Sequence, residues 1–83
     1  MKKCIGNIAL KNCTLKYYVF GNRSTGYGIE IKVTRVEKAV QIVSYDFGKV
    51  MDVAKKLRCG SVFPTNLSEI IEDENFDDFQ SPN

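Results

Sequence analysis

Histidine does not occur among the 83 residues. Its absence takes away the commonest general base near neutral pH and the commonest metal ligand, and with them most hydrolase arrangements. No apolar run approaches the ~20 residues that a membrane-crossing helix needs, so no membrane span is expected. Cysteine is sparse and odd in number: Cys4, Cys13 and Cys59 lack the paired spacing of a disulfide framework and match no zinc module. They are expected to be thiols, small buried hydrophobes of a reducing, cytoplasmic setting, and no metal or other cofactor is expected. The start Met-Lys-Lys is that of a signal peptide, but Gly6, Asn7, Lys11 and Asn12 interrupt the apolar stretch that should follow. Secretion is not expected.

Lysine and arginine are also missing beyond Arg58. All twelve lie at or before that residue, while Glu69, Glu72, Asp73, Glu74, Asp77 and Asp78 make up six of the ten carboxylates. The overall charge of +2 conceals a basic body and an acidic end. A hydrophobic content of 43% with 27% charged residues is that of a folded domain. At this length it is one domain, near the lower limit for a core without staples.

Leu15, Tyr17 and Val19 alternate with Lys16, Tyr18 and Phe20, and after a Gly21 to Gly26 loop Tyr27, Ile29, Ile31 and Val33 alternate with Gly28, Glu30, Lys32 and Thr34. That is the pattern of a hairpin. Setting Tyr17 opposite Ile31 and Val19 opposite Ile29 leaves one face wholly apolar, with Lys16, Tyr18, Phe20, Glu30 and Lys32 on the other. A further strand over about Ala39 to Tyr45 changes phase between Ile42 and Val43, which predicts a bulge or burial on both faces. An earlier strand around Cys4 to Leu10 is weakened by Gly6 and Asn7.

Helical spacing follows. Phe47, Val50, Met51, Ala54 and Leu57 form one stripe, with Asp46 as N-cap and Gly60 as the left-handed terminating residue. After Pro64, Thr65 or Asn66 is expected to cap a second helix, with Glu69 completing a capping box and Leu67, Ile70 and Ile71 facing inward. The expected architecture is α+β: an antiparallel meander of three or four strands followed by two short helices packed on one face. Residues 1–73 are expected to form the domain and 74–83 an acidic, disordered tail.

Little catalytic chemistry is visible. Gly21, Gly26 and Gly28 lack the Lys-Ser or Lys-Thr and the following helix of a phosphate-binding loop. The carboxylates of the acidic end fall on a solvent face, where no pocket separates their pKa values. The chain is therefore expected not to be an enzyme.

Leu-Lys-Tyr-Tyr at 15–18, Tyr-Gly-Ile-Glu-Ile at 27–31 and Pro-Thr-Asn-Leu-Ser-Glu-Ile-Ile-Glu-Asp at 64–73 resemble a family of small bacterial proteins known only as a domain of unknown function. The resemblance spans most of the chain and implies no activity, cofactor or catalytic residue.

What remains is surface. Tyr18 and Phe20 stand among lysines on the polar sheet face, and Phe76 and Phe79 stand among Glu72, Asp73, Glu74, Asp77 and Asp78. These nine residues are the candidate partner-binding set. The first expectation is a regulatory or inhibitory protein-binding module, in one version a mobile-element inhibitor whose carboxylates enter the basic cleft of a nucleic-acid enzyme. The second is a nucleic-acid-binding regulator that uses Lys2, Lys3, Lys16, Lys32, Lys49, Lys55, Lys56 and Arg58, with the acidic tail as internal competitor. A homodimer through a strand edge or sheet face is compatible with either.

Overall fold

Alternation of apolar and polar residues becomes strand wherever the computed structural model lets one side of the chain meet the helices. The structure describes residues 1–34 and 37–74, residue 74 by its backbone alone. Strands β1 (Lys2–Ala9), β2 (Thr14–Asn22), β3 (Gly26–Val33) and β4 (Glu37–Ser44) pair in sequence order as an antiparallel sheet. Helix α1 (Phe47–Cys59), a 3-10 turn (Pro64–Asn66) and helix α2 (Leu67–Glu74) follow. The predicted α+β meander with two helices on one face is the fold observed.

The hairpin takes the register that an apolar core selects, Tyr17 opposite Ile31 and Val19 opposite Ile29. Leu15, Tyr17, Val19, Ile29, Ile31 and Val33 are buried beneath α1 and α2, against Val50, Val53, Ala54, Leu57, Leu67 and Ile71. Each fully buried side chain of this kind contributes roughly 1.5–3 kcal/mol of transfer free energy. The turn between β2 and β3 is organised by one amide: Asn22 Oδ1 accepts from the Ser24 and Thr25 backbone N–H groups at 2.8 and 2.9 Å, while Gly21 and Gly26 take φ of +118° and +89°.

The phase change in β4 is a bulge. Tyr27 pairs with Ser44 and Gly28 with Ile42, so Val43 is the extra residue. It turns inward and is buried, and Val40 and Ile42 stay on the opposite face. β4 begins at Glu37, earlier than its apolar pattern indicated, and ends at Ser44. β1 begins at Lys2 and tolerates Gly6 through a second bulge between Cys4 and Gly6.

Helix α1 touches all four strands and is capped as expected, with Asp46 accepting from the Lys49 N–H at 3.2 Å. Its buried stripe is Val50, Val53, Ala54 and Leu57. Phe47 is instead exposed and sits edge-on to Tyr27, ring centroids 5.1 Å apart. Its C-terminus corrects the expectation for Gly60, whose φ is −89°. Ser61 takes the left-handed conformation, φ +52°, and the Ser61 and Val62 N–H groups donate to the Arg58 and Leu57 carbonyls, both at 3.1 Å. This is a Schellman closure with serine at the position that favours glycine. Replacing Ser61 by glycine relieves the Cβ penalty of about 1 kcal/mol, so Ser61→Gly is expected to stabilise the fold by about 0.5–1 kcal/mol in urea denaturation.

The start of the second helix differs too. Pro64 opens a 3-10 turn with Phe63 at the cap position and no side-chain capping bond, and Asn66 Oδ1 accepts from the Thr65 hydroxyl at 3.1 Å and not from Glu69, so the expected box does not form. Proline sets the backbone for a helical start on its own.

Candidate functional site

The helices cover one face of the sheet and leave the other open. Cross-strand partners arrange that outer face in three rows: Lys2, Phe20, Gly28 and Ile42; then Cys4, Tyr18, Glu30 and Val40; then Asn7, Lys16, Lys32 and Lys38. Rows lie about 7 Å apart along the strands and columns about 4.8 Å apart.

The first two rows form an aliphatic and aromatic patch. Val40 is 52% and Ile42 41% exposed, and Tyr18 and Phe20 are half-buried. Phe20 owes its position to Gly28: a Cβ there would lie 2.5 Å from the Phe20 ring edge (Cζ) and 2.5 Å from the Gln41 carbonyl oxygen. The ring thus covers bare backbone across the hairpin, as an aromatic residue opposite a strand glycine does.

Glu30 is an acid in the middle of this patch, only 8% exposed. Lys2 answers it, with Nζ 3.2 Å from Oε1 and 4.6 Å from the centre of the Tyr18 ring. One ammonium therefore serves the carboxylate and the aromatic face together, and Tyr18 is boxed between cation and acid.

The third row behaves differently. Lys16 is directly opposite Lys32, and Lys32 directly opposite Lys38. All three are exposed and, among the described residues, none has an ion-pair partner. Like charges facing across strands each cost roughly 0.2–1 kcal/mol, and local rules broken without local compensation tend to mark functional surface.

The remaining candidates lie elsewhere. Glu72 and Asp73 are exposed on α2, in the helical layer on the far side of the sheet from Tyr18 and Phe20, and neither they nor Glu69 pair with a cation of α1. The Glu74 side chain, Phe76, Asp77, Asp78 and Phe79 lie outside the described residues. Among the described candidates, Tyr18 and Phe20 share the outer face and Glu72 and Asp73 do not join them there. Of the cations on α1, Arg58 folds its side chain over Gly6 of the β1 bulge and is less free than its sequence position suggested.

The sequence reading missed Val40, Ile42 and Lys38 as members of the Tyr18 and Phe20 surface. A signal existed in the phase change before Val43, which places Val40 and Ile42 together on the face opposite Val43.

Other features offer less chemistry. A shallow groove of about 450 Å³ at the end of the sheet next to Lys16 and Lys32 is lined by Leu10, Lys11, Asn12, Cys13, Thr14 and Thr34. The Thr34 hydroxyl there donates to the Thr14 carbonyl at 3.1 Å. Among the described residues no three Cys, Asp or Glu side chains cluster as metal ligands, and no helix is long and apolar enough to cross a membrane. Cys4 and Cys59 are exposed free thiols, contrary to the expectation of burial, and Cys13 is half-buried.

A model of a family of unknown function, DUF6514, matches residues 2–75. The chain belongs to DUF6514. The match covers every strand and helix described above, so the open sheet face lies wholly within the DUF6514 region. No curated protein and no solved structure matches the chain.

Proposed function

We propose that this DUF6514 chain is a non-enzymatic binding module, regulatory or inhibitory, that presents the outer face of its sheet to a protein partner. The observation that carries this reading is the Lys16, Lys32 and Lys38 row, held in mutual repulsion beside the exposed Val40 and Ile42 and the half-buried Phe20. The fitting partner is a protein segment with apolar side chains flanked by carboxylates. Apolar contact supplies affinity and the lysine row orients the approach. Exposed thiols at Cys4 and Cys59 support a reducing, cytoplasmic setting. The version in which a partner's basic cleft takes up the acidic end rests mainly on residues outside those described.

Nucleic acid is the second reading, and the same lysine row favours it. Three observations weigh against it as first choice. Tyr18 already holds the Lys2 ammonium against its ring, Glu30 sets a carboxylate among the aromatics, and Val40 and Ile42 offer no ring on which a base can stack.

Lys32→Glu separates function from stability. It converts two opposed like-charge pairs into two opposite-charge pairs, so denaturation should show a gain of about 1 kcal/mol. Cross-linking from a photoreactive residue at Val40 in native lysate should, in contrast, lose its protein adduct, with a photoreactive residue at Lys49 as control. An unchanged Val40 adduct in Lys32→Glu overturns the docking face. An adduct removed by nuclease transfers the proposal to nucleic acid, and its affinity should then fall steeply with salt.

A further inference from the structure

The outer face is banded across its strands. Phe20 and Ile42 share one row, Tyr18 and Val40 the next, and Lys16, Lys32 and Lys38 the third, so an apolar band and a basic band run side by side, perpendicular to the strands. Lys16 to Lys38 spans two strand spacings, about 9.6 Å. A partner that meets all three lysines therefore presents its carboxylates in a line across the sheet.

Backbone chemistry separates the two shapes that a partner segment can take there. The middle of the face offers side chains only, because the N–H and C=O groups of β2 and β3 are spent in the ladders on either side. An extended segment would turn its own N–H and C=O groups sideways among those side chains, without partners; extended peptides are taken up at sheet edges for that reason. A helix arrives with its backbone already paired. Pitch agrees. Carboxylates at i, i+4 and i+7 of a helix stand on one flank and span about 10.5 Å, close to the lysine row, whereas those on one side of an extended segment, at i, i+2 and i+4, span about 13 Å. The inner face shows that a helix lying across the strands fits this sheet, since α1 touches all four.

We infer that the occupant of the outer face is an amphipathic α-helix of a protein partner, laid across the strands, with its apolar stripe over Phe20, Val40 and Ile42 and carboxylates at i, i+4 and i+7 over Lys16, Lys32 and Lys38. The inference rests on the reading of that face as a protein-docking surface and adds the partner's secondary structure and register. The middle carboxylate meets Lys32. Each carboxylate has an apolar residue beside it in sequence, since neighbouring residues lie about 100° apart around a helix. Glu30 does not repel such a helix, because it lies under the apolar stripe, 8% exposed, with Lys2 Nζ 3.2 Å from its Oε1. Helix α2 of a second copy brings the exposed Glu69, Glu72 and Asp73 but no apolar stripe, because Leu67 and Ile71 are already buried in its own core.

The test uses the full chain and a designed probe, a peptide of about 16 residues stapled into a helix on its far side, with glutamates at i, i+4 and i+7 and a leucine directly after each. A control peptide keeps every glutamate and leucine but carries a central proline in place of the staple, which breaks the helix. The stapled peptide should shift amide resonances of Phe20, Lys32, Lys38, Val40 and Ile42, with core residues such as Val50 unmoved, and should bind at least about tenfold more tightly than the control. Lys32→Glu should weaken it roughly tenfold, and a stapled peptide with lysine at the middle glutamate should bind Lys32→Glu better than the unaltered protein. Equal binding of the two peptides, both dependent on Lys32, overturns the helix and leaves the docking face standing. No shifts with the stapled peptide, or shifts around Lys49 and Lys55 instead, also overturn it; a Val40 adduct that is still lost in Lys32→Glu then keeps the docking face for a partner of another shape. Shifts of the same residues on concentrating the protein alone give the face to a second copy and overturn the inference. Stronger shifts with an oligothymidylate than with the stapled peptide give it to nucleic acid, and the docking reading fails as well.

Discussion

Tyr17→Ala is expected to lower the stability of the fold by about 3–5 kcal/mol in urea denaturation, the largest effect of any single substitution considered. Tyr17 is fully buried at the centre of β2, and truncating a buried aromatic residue to alanine costs about 3–5 kcal/mol through lost transfer free energy and the remaining cavity. A domain of this length has a total stability of roughly 4–12 kcal/mol, so one substitution removes a large share of it. The hydroxyl adds a smaller, separable part. It donates to the Val62 carbonyl at 2.9 Å, tying the central strand to the loop between the two helices, and Tyr17→Phe should cost about 1 kcal/mol because the half-buried carbonyl keeps some access to water.

A pH test distinguishes the two contributions. Burial raises the Tyr17 pKa above its ordinary value of 10.0. Above pH 10 the unfolded chain loses this proton while the folded chain retains it, so stability is constant below pH 10 and declines as pH rises from there towards the folded-state pKa. Urea midpoints across pH 9–11.5 should show that decline in the unaltered protein and a shallower one in Tyr17→Phe. Equal slopes would mean that the hydroxyl is not shielded from water.

Tyr17 also shows which parts of this fold can be read from sequence. Its place on the apolar face follows from the alternation of Leu15, Tyr17 and Val19, because period two leaves only one register that buries both strands of the hairpin. Its hydrogen-bond partner lies 45 residues away, in a loop whose path depends on how the helices settle on the sheet, and no local pattern encodes that. The Val43 bulge was visible as a phase change because burial enforces phase. The end of α1 was misassigned for the opposite reason: Gly60 and Ser61 are adjacent, and the Schellman bonds to Leu57 and Arg58, more than glycine preference, decide which of them turns left-handed.

The candidate site was legible to the same extent. Lys16, Tyr18, Phe20, Glu30 and Lys32 share a face by alternation alone. Lys38 was not assigned to it because the apolar pattern of the fourth strand begins only at about Ala39, and without Lys38 the repulsive row is only a pair. The Lys2 contact with Glu30 was hidden by the β1 bulge, since the register of Lys2 opposite Phe20 exists only once Ile5 is skipped.

Gly28→Ala should damage the fold and the docking face together. A methyl group at Gly28 would stand 2.5 Å from the Gln41 carbonyl oxygen and 2.5 Å from Phe20 Cζ. The ring can swing away, but the carbonyl belongs to the backbone of the neighbouring strand and can move only by shifting the β3–β4 ladder. Overpacking of this kind costs about 1–3 kcal/mol, partly offset by the lower unfolded-state entropy of alanine, about 0.4–1 kcal/mol. A net loss near 1–2 kcal/mol should lower the melting temperature by about 4–16 °C in a domain of this size. Two further measurements separate the two contacts. In a Phe20→Ala background the penalty of Gly28→Ala should shrink without vanishing, because the clash with Gln41 remains. The photoreactive residue at Val40 should lose adduct in Gly28→Ala at temperatures where circular dichroism shows the chain still folded, because the Phe20 ring is displaced from its place over Gly28. A penalty that disappears entirely with Phe20 would show that the backbone of β4 yields freely, and the outer face would then owe its shape to the aromatic residue alone.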